Sequence, residues 1–136
     1  MDVRSPKEYQ LAHIPGAINI PLFSDEERAL VGTTYKHEGR EKAITQGLEL
    51  VGPKMAEFVA EGKRILQEHQ AAYITMHCWR GGMRSKSMAT LFNFAGIPTL
   101  TITGGYKVYR NAVQQSFAAP LPLIVLGGKT GSAKTA

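Results

Sequence analysis

The chain has 136 residues, of which 43% are hydrophobic and 20% are charged, the composition of one ordinary globular domain rather than of a disordered or fibrous protein. No apolar run approaches the ~18 residues that a membrane-spanning helix needs, and residues 1–6 (MDVRSP) offer no apolar core for a secretory signal. The single cysteine excludes an internal disulfide and a multi-cysteine metal site. We therefore expect no metal and a reducing, cytoplasmic location.

The charges are divided unevenly along the chain. All 11 acidic residues lie between Asp2 and Glu68, where nine lysines and arginines leave a balance of −2. Residues 69–136 contain seven lysines and arginines and no acid, a balance of +7. This asymmetry is typical of a second half that faces an anion. A basic surface that serves solubility would give the same asymmetry.

The first half begins with signals for short elements. Ser5 is a plausible N-cap, Pro6 suits the first helical position, and Glu8 follows Ser5 by three residues, which predicts a capped helical turn. Residues 13–21 predict a Pro-Gly turn followed by a short β segment. Ser24, which three acids follow, predicts the start of a second helix.

Two longer helices are predicted over residues 39–50 and 53–69. Within the second, apolar residues recur near the 3.6-residue helical period and are predicted to lie in the core. These residues are Met55, Phe58, Val59, Ile65 and Leu66.

Strands and helices then alternate. The sequence predicts a strand over 72–76, a loop over 77–84, a helix over 85–95, a strand over 99–103, a glycine turn at 104–105 and a helix over 106–117. Residues 119–122 read as a linker and residues 123–126 as a further strand. The alternation predicts an α/β fold with a central, mainly parallel sheet flanked by helices. Ligands in such folds bind at the carboxyl ends of strands, which is where the loop over 77–84 lies.

This loop has the composition of an anion site built around a thiol. Gly81 and Gly82 permit backbone angles at which successive N–H groups converge, and Arg80 and Arg84 add positive charge. Cys78 at its centre is therefore predicted to ionise readily and to act as a nucleophile, with the same cradle holding a tetrahedral oxyanion. The alternative is that Cys78 is a small buried hydrophobic residue.

The neighbouring side chains give weaker signals. His77 ends a strand and is predicted to be structural. Trp79 either stacks on a base or shapes the loop, and the sequence leaves both open. Met83 is predicted to pack rather than to take part in chemistry.

Four stretches resemble known proteins. The segments DVRSPxEY (2–9) and HIPGAxNIP (13–21) resemble the opening signature of rhodanese domains. The more specific stretches PLFSDEERALVGTTYK (21–36) and CWRGGMRS (78–85) resemble the family of tRNA 2-selenouridine synthases. The resemblance implies a rhodanese-like domain over 1–118, and a linker with the start of a P-loop domain over 119–136.

The resemblance also implies a reaction. The family replaces the sulfur of wobble 2-thiouridine in tRNA by selenium from selenophosphate, and it also geranylates the thiouridine with geranyl diphosphate. By resemblance, Cys78 is the active-site nucleophile that carries the chalcogen, tRNA is the partner, and no bound cofactor is expected. The implied donor-binding loop comprises Trp79, Arg80, Gly81, Gly82, Met83 and Arg84.

The end of the chain resembles a Walker A loop in part. Gly128, Lys134 and Thr135 match its first glycine and its Lys-Thr pair, but Ala133 stands where a glycine is expected. The sequence stops at Ala136, before the helix whose N-terminus would complete the phosphate site. We therefore expect a chain truncated at both ends, with no phosphate site of its own at 128–135 and no complete tRNA reaction.

Rival functions remain at this point. The spacing Cys78-x5-Arg84 also fits cysteine-dependent phosphatases, some of which share the rhodanese fold, although phosphatases usually need a carboxylic acid and none follows Glu68. A rhodanese-fold sulfurtransferase is a second alternative. A domain that only binds tRNA or a protein partner is a third, and it predicts an ordinary, unactivated thiol.

Overall fold

The computed structural model describes residues 1–118, 120 and 127–130. Within them the helices are α1 (Pro6–Leu11), α2 (Asp25–His37), α3 (Arg40–Val51), α4 (Met55–Glu68), α5 (Met83–Phe94) and α6 (Gly105–Ser116), and the strands are β1 (Ile74–Met76) and β2 (Thr99–Thr101). The strand predicted at 123–126 lies outside the described residues. No helix in the described ranges combines the length and the apolarity that crossing a membrane requires.

The sheet is parallel, as the alternation of elements predicts. In the register of β1 and β2, Ile74 pairs with Thr99 and Met76 with Thr101. A parallel pair needs a crossover connection, and α5 supplies it. The α/β class with helices around a parallel sheet is therefore confirmed.

Two shorter segments near the start of the chain extend this sheet beyond β1. The Val3 N–H donates to the His77 carbonyl at 3.0 Å, and the Asp2 N–H donates to the Ile18 carbonyl at 2.8 Å. Asp2 forms parallel bridges with both His77 and Asn19. The order across the sheet is thus the segment around Asn19, the segment around Asp2, β1 and β2, which brings the beginning of the chain against the end of β1.

Both predicted serine caps are present. α1 begins after Ser5, whose N–H donates to the Glu8 carboxylate at 3.2 Å. α2 begins after Ser24, whose hydroxyl accepts from the Glu27 N–H at 3.2 Å. Each cap supplies a partner to a backbone group that has none inside a helix, so both helices begin where the sequence predicts.

The face of α4 that packs on α5 forms much of the core. Phe58 and Ile65 are buried, and Gly62 lies so close to α5 that a Cβ atom there would approach Phe92 to 2.6 Å. Val59 and Leu66, both predicted core residues, are partly buried against the same cluster. The remaining predicted core residue is wrong: Met55 is 42% exposed, since it stands at the first position of α4, one turn before the helix reaches the core.

Several predicted boundaries differ from the observed ones. Residues 52–54 form a 3-10 turn, not part of α4, at a proline that has no N–H to donate. β1 starts at Ile74 instead of residue 72, and β2 ends at Thr101 instead of residue 103 because the Gly104 turn follows closely. α5 begins at Met83, two residues early, so Met83 and Arg84 belong to its first turn.

Candidate active site

The loop over 77–82 connects β1 to α5 and rests on the start of α6. The Cys78 carbonyl accepts from the Tyr106 N–H at 2.9 Å, and the Trp79 carbonyl accepts from the Lys107 N–H at 3.0 Å. These donors are among the first N–H groups of α6, which have no acceptor inside their own helix. The N-terminus of α6 therefore holds the carbonyl side of the loop that carries the cysteine.

Glycines make this close packing possible. Gly105 has φ +60°, and a Cβ atom there would lie 2.3 Å from the Cys78 carbonyl oxygen. Gly81 has φ +65°, and a Cβ atom there would lie 2.7 Å from the Ile102 carbonyl oxygen. Gly82 has φ −91°, an ordinary value for any residue, so the predicted need for special backbone angles holds for Gly81 and not for Gly82.

The Cys78 thiol is buried yet hydrogen-bonded. Its side chain is 3% exposed and borders the hydrophobic core, while Sγ lies 3.3 Å from the Ser85 hydroxyl oxygen. Burial raises the pKa of the Cys78 thiol, but the Ser85 hydroxyl, the N–H groups of Ser85 and Gly82 and the charge of Arg84 together outweigh it, so the pKa is lower than that of an ordinary thiol.

Both sequence interpretations of this cysteine describe part of the geometry. The thiol is enclosed, as expected of a small buried hydrophobic residue, but polar groups that favour the thiolate face it. The Ser85 hydroxyl donates to the Gly82 carbonyl at 3.2 Å and lies 3.3 Å from Sγ, and such a hydroxyl can turn to donate to the sulfur of an ionised thiol. The site can therefore hold a thiolate at a lower pH than a free cysteine.

Arg84 is paired with a carboxylate that the sequence analysis did not assign to the site. Its Nη1 donates to Glu8 Oε2 at 2.6 Å and its Nη2 to Glu8 Oε1 at 3.3 Å, although 76 residues separate them. Burial raises the pKa of Glu8, but Arg84, the Ser5 N–H and Arg28 lower it further, so the pKa lies below the usual range. The capping motif of α1 is the signal that fixes Glu8 in space, but it does not reveal Arg84 as its partner.

The other predicted loop residues differ in exposure. Trp79 is half-buried, with its ring centroid 5.7 Å from that of Tyr106, and Arg80 is exposed. Met83, predicted to pack rather than to take part in chemistry, is 50% exposed and stands at the start of α5, on the wall of an open cleft. His77, predicted to be structural, is 1% exposed and packs inside the sheet.

A buried ion pair packs against Tyr106, the residue whose N–H donates to the Cys78 carbonyl. Arg4 and Asp2 are 1% and 0% exposed, and Arg4 Nη2 lies 2.6 Å from Asp2 Oδ2. The Arg4 guanidinium also lies 4.0 Å from the centroid of the Tyr106 ring. His77 Nε2 is 3.8 Å from Asp2 Oδ2, and burial above all lowers the pKa of His77, so the ring stays neutral near pH 7. Through Arg4, the segment around Asp2 therefore contacts Tyr106, whose N–H donates to the Cys78 carbonyl.

An apolar cleft of about 190 Å³ opens beside the first turn of α5. α2 and α3 form most of its wall, with side chains such as Val31, Tyr35, Ile44 and Leu48. Met83 and Arg84 form the edge nearest the loop. The cleft and the thiol therefore lie on either side of the same helix start.

The described residues hold no group of three or more His, Cys, Asp or Glu side chains arranged to bind a metal. Of the residues matched to a Walker A loop, Gly128 lies within the described range 127–130, whereas Lys134 and Thr135 lie outside the described residues.

Comparison with known proteins agrees with this architecture. The rhodanese-like domain family matches residues 1–112, which include every element from α1 to β2 and the cysteine loop. This chain belongs to that family. The predicted rhodanese-like fold is confirmed.

Curated relatives narrow the assignment. A tRNA 2-selenouridine synthase from Bdellovibrio bacteriovorus is 41% identical over 139 residues, which cover 99% of this chain and 36% of the relative. One from Nitrosomonas europaea is 40% identical with the same coverage. The predicted resemblance to these synthases is confirmed, and the chain spans a little over a third of their length.

A solved structure is also similar. The N-terminal domain of a candidate ATP/GTP-binding protein from Clostridium difficile 630 aligns with a TM-score of 0.77 and 39% identity, covering 82% of this chain and 85% of that domain.

Proposed function

We propose that this chain carries out the chalcogen-transfer step of tRNA 2-selenouridine synthesis, with Cys78 as nucleophile and chalcogen carrier. The single observation that carries the proposal is a thiol that is enclosed and nevertheless faced by groups favouring its ionised form, in a chain about 40% identical to tRNA 2-selenouridine synthases. A cytoplasmic location accords with the proposed tRNA substrate.

Selenophosphate is the proposed selenium donor, and its chemistry suits the loop. It is a tetrahedral oxyanion, which the N–H groups at the start of α5 and the guanidinium groups of Arg84 and Arg80 attract. Selenium in selenophosphate is at the selenide level, so loading it on Cys78 needs a two-electron oxidant, and we propose a small-molecule disulfide in that role. The Cys78 thiolate attacks the disulfide, and one thiolate leaves. Water attacks the phosphorus of selenophosphate, the P–Se bond breaks, and phosphate and hydrogen selenide form. The selenide attacks Cys78 Sγ, the S–Se bond forms, and the second thiolate leaves with the electrons of the S–S bond.

In the transfer to tRNA, the terminal selenium attacks C2 of the wobble thiouridine and the C2–S bond breaks with release of hydrogen sulfide. A thiolate then attacks Cys78 Sγ, the electrons of the S–Se bond stay with the selenium on C2, and the mixed disulfide on Cys78 forms again.

The experiment is direct because the chain has one cysteine. The chain is incubated with selenophosphate and a small-molecule disulfide, or with thiosulfate, freed of donor and weighed intact by mass spectrometry. We expect one selenium on the wild-type chain, released by a thiol reductant, and none on Cys78→Ser. Selenium retained equally by Cys78→Ser would contradict the proposal. Loading from thiosulfate alone would favour the ordinary sulfurtransferase.

Among the residues that the structure describes, the phosphatase alternative lacks a protonated acid at the loop. Glu8 is the carboxylate that contacts Arg84, and its lowered pKa means that it is ionised near pH 7 and has no proton to give a leaving group. Hydrolysis of an aryl phosphate by the wild-type chain, lost in Cys78→Ser, would nevertheless favour the phosphatase.

Geranylation is a second proposed activity, and the apolar cleft supports it. The cleft could take a hydrocarbon chain, and Arg84 at its edge could meet the diphosphate of geranyl diphosphate. Tyr35 of α2 and Leu48 of α3 both line the cleft. We expect Leu48→Gln to weaken binding of geranyl diphosphate and to leave selenium loading of Cys78 unchanged. If the wild-type and Leu48→Gln chains bind geranyl diphosphate equally well, this cleft is not the geranyl site.

A further inference from the structure

We propose that the surface formed by Trp79, Arg80, Lys107, Tyr109 and Arg110, the loop–α6 surface, binds single-stranded RNA next to Cys78. The proposal rests on the proposed function, because it identifies where the RNA loop that contains the reacting base would lie.

The first argument is charge that is left unpaired. Arg80, Lys107 and Arg110 are exposed and form no ion pair within the described residues. Several cations of the first half are instead matched with carboxylates. These are Arg4, Arg28, Lys42, Lys54 and Arg64. The positive field of the second half is therefore free to act on a polyanion at this surface.

The second argument is position. The hydrogen bond from the Lys107 N–H to the Trp79 carbonyl, 3.0 Å long, fixes the first turn of α6 against the cysteine loop. Arg110 follows Lys107 by three residues and so lies on the same face of α6. Phosphates bound along this face would lead the RNA strand toward Cys78.

The third argument is the pair of aromatic rings beside these cations. Trp79 and Tyr109 are both half-buried, so each ring is supported by protein and still accessible. Tyr106 lies between them, with ring centroids 5.7 Å from Trp79 and 6.0 Å from Tyr109. Proteins that bind single-stranded RNA combine such stacking platforms with cations along the backbone. An acidic peptide would use the cations but not the rings, so RNA fits this surface better.

The test uses Trp79 as its own probe, since it is the one tryptophan of the chain. A fluorescently labelled single-stranded oligoribonucleotide, the same RNA as a duplex, and polyglutamate are titrated in turn. We expect the single strand to bind most tightly and to quench Trp79 fluorescence as a base stacks on the ring. Tight binding of the duplex without quenching, or binding of polyglutamate as strong as that of the single strand, would overturn the proposal.

Variants separate this surface from general basicity. The plot of log K against log salt concentration should have a slope shallower by about 1.4 for the double variant Lys107→Ala/Arg110→Ala. Each phosphate contact on a single strand contributes about 0.7 to that slope. The matched control Lys36→Ala/Lys63→Ala removes the same charge from exposed, unpaired positions of α2 and α4 in the described structure and should change binding little. Equal losses in both double variants would refute the proposal.

A third pair of variants tests stacking. Trp79→Ala should weaken binding of the single strand by at least about fivefold, whereas Trp79→Phe should retain most of it. Selenium loading of Cys78 from selenophosphate does not require RNA. Normal selenium loading of the wild-type chain, together with RNA binding that none of these variants changes, would therefore refute the loop–α6 surface and leave the proposed chalcogen step standing.

Discussion

Removing the Ser85 hydroxyl tests the electrostatic account of the thiol most directly. Ser85 Oγ lies 3.3 Å from Cys78 Sγ, and it is the strongest of the contacts that lower the thiol pKa against the effect of burial. A hydrogen bond to a charged group is worth about 1.5–3 kcal/mol. At 1.36 kcal/mol per unit, Ser85→Ala should raise the Cys78 pKa by about one to two units.

The rate of alkylation changes less than the pKa does. At a pH below both pKa values, the thiolate fraction falls about tenfold for each unit. A more basic thiolate is also a better nucleophile, with a Brønsted coefficient of about 0.4–0.5, which recovers part of the loss. We therefore expect Ser85→Ala to react about 4- to 20-fold more slowly with iodoacetamide in acid. In alkali, where both thiols are fully ionised, the variant should be the faster one.

The assay is the pH profile of iodoacetamide modification, read by intact mass, with one cysteine in the chain to modify. Ser87→Ala is the matched control, since the Ser87 hydroxyl is exposed and donates to the Arg84 carbonyl at 3.2 Å instead of contacting Cys78. Its profile should match that of the wild type. If Ser85→Ala has the same midpoint as the wild type, the hydroxyl does not stabilise the thiolate and the reasoning fails.

Three further results are expected. Gly105→Ala should cost about 2–4 kcal/mol in urea unfolding, because its Cβ meets the Cys78 carbonyl at φ +60°, whereas Gly16→Ala, with φ +76° and nothing within 4 Å, should cost about 1 kcal/mol; equal losses would contradict the loop packing. Glu8→Gln should lose about 1–2 kcal/mol near pH 7. Because folding lowers the Glu8 pKa from 4.5, this difference is present above that pH and should vanish as pH falls through the folded pKa; a constant difference would exclude the ion pair as its cause. Arg84→Ala should slow iodoacetamide modification about two- to fivefold in mild acid, and an unchanged rate would remove Arg84 from the site.

Local signals in the sequence predict the elements well and their ends less well. Ser5 and Ser24 identify helix starts because a cap acts within three residues of itself. Met55 fits the apolar period of α4, but periodicity cannot tell that the helix reaches the core only one turn later. β2 is shorter than predicted because the turn at Gly104 brings the chain back against the cysteine loop, a contact that belongs to the tertiary structure.

The candidate site was only partly predictable for the same reason. Cys78 and its glycines are adjacent in sequence, so their strand–loop–helix setting could be read directly. Glu8 and Arg84 are 76 residues apart in the sequence, and no local sequence signal near either residue indicates that they form a hydrogen bond. The sequence predicts that both arginines add positive charge to the loop, but it does not show that Arg84 shares its charge with a carboxylate or that Arg80 is exposed.

The dependence of the loop on α6 links its packing to its chemistry. In a trans peptide the C=O of one residue and the N–H of the next point in opposite directions. Because Tyr106 and Lys107 hold the carbonyls of Cys78 and Trp79, the N–H groups of Trp79 and Arg80 are turned away from α6, to the other side of the loop. A change that detaches α6 should therefore alter the direction of the Trp79 and Arg80 N–H groups before it unfolds the sheet. The N–H groups of Gly82 and Ser85, which lower the Cys78 pKa, belong to the start of α5 and should be affected later.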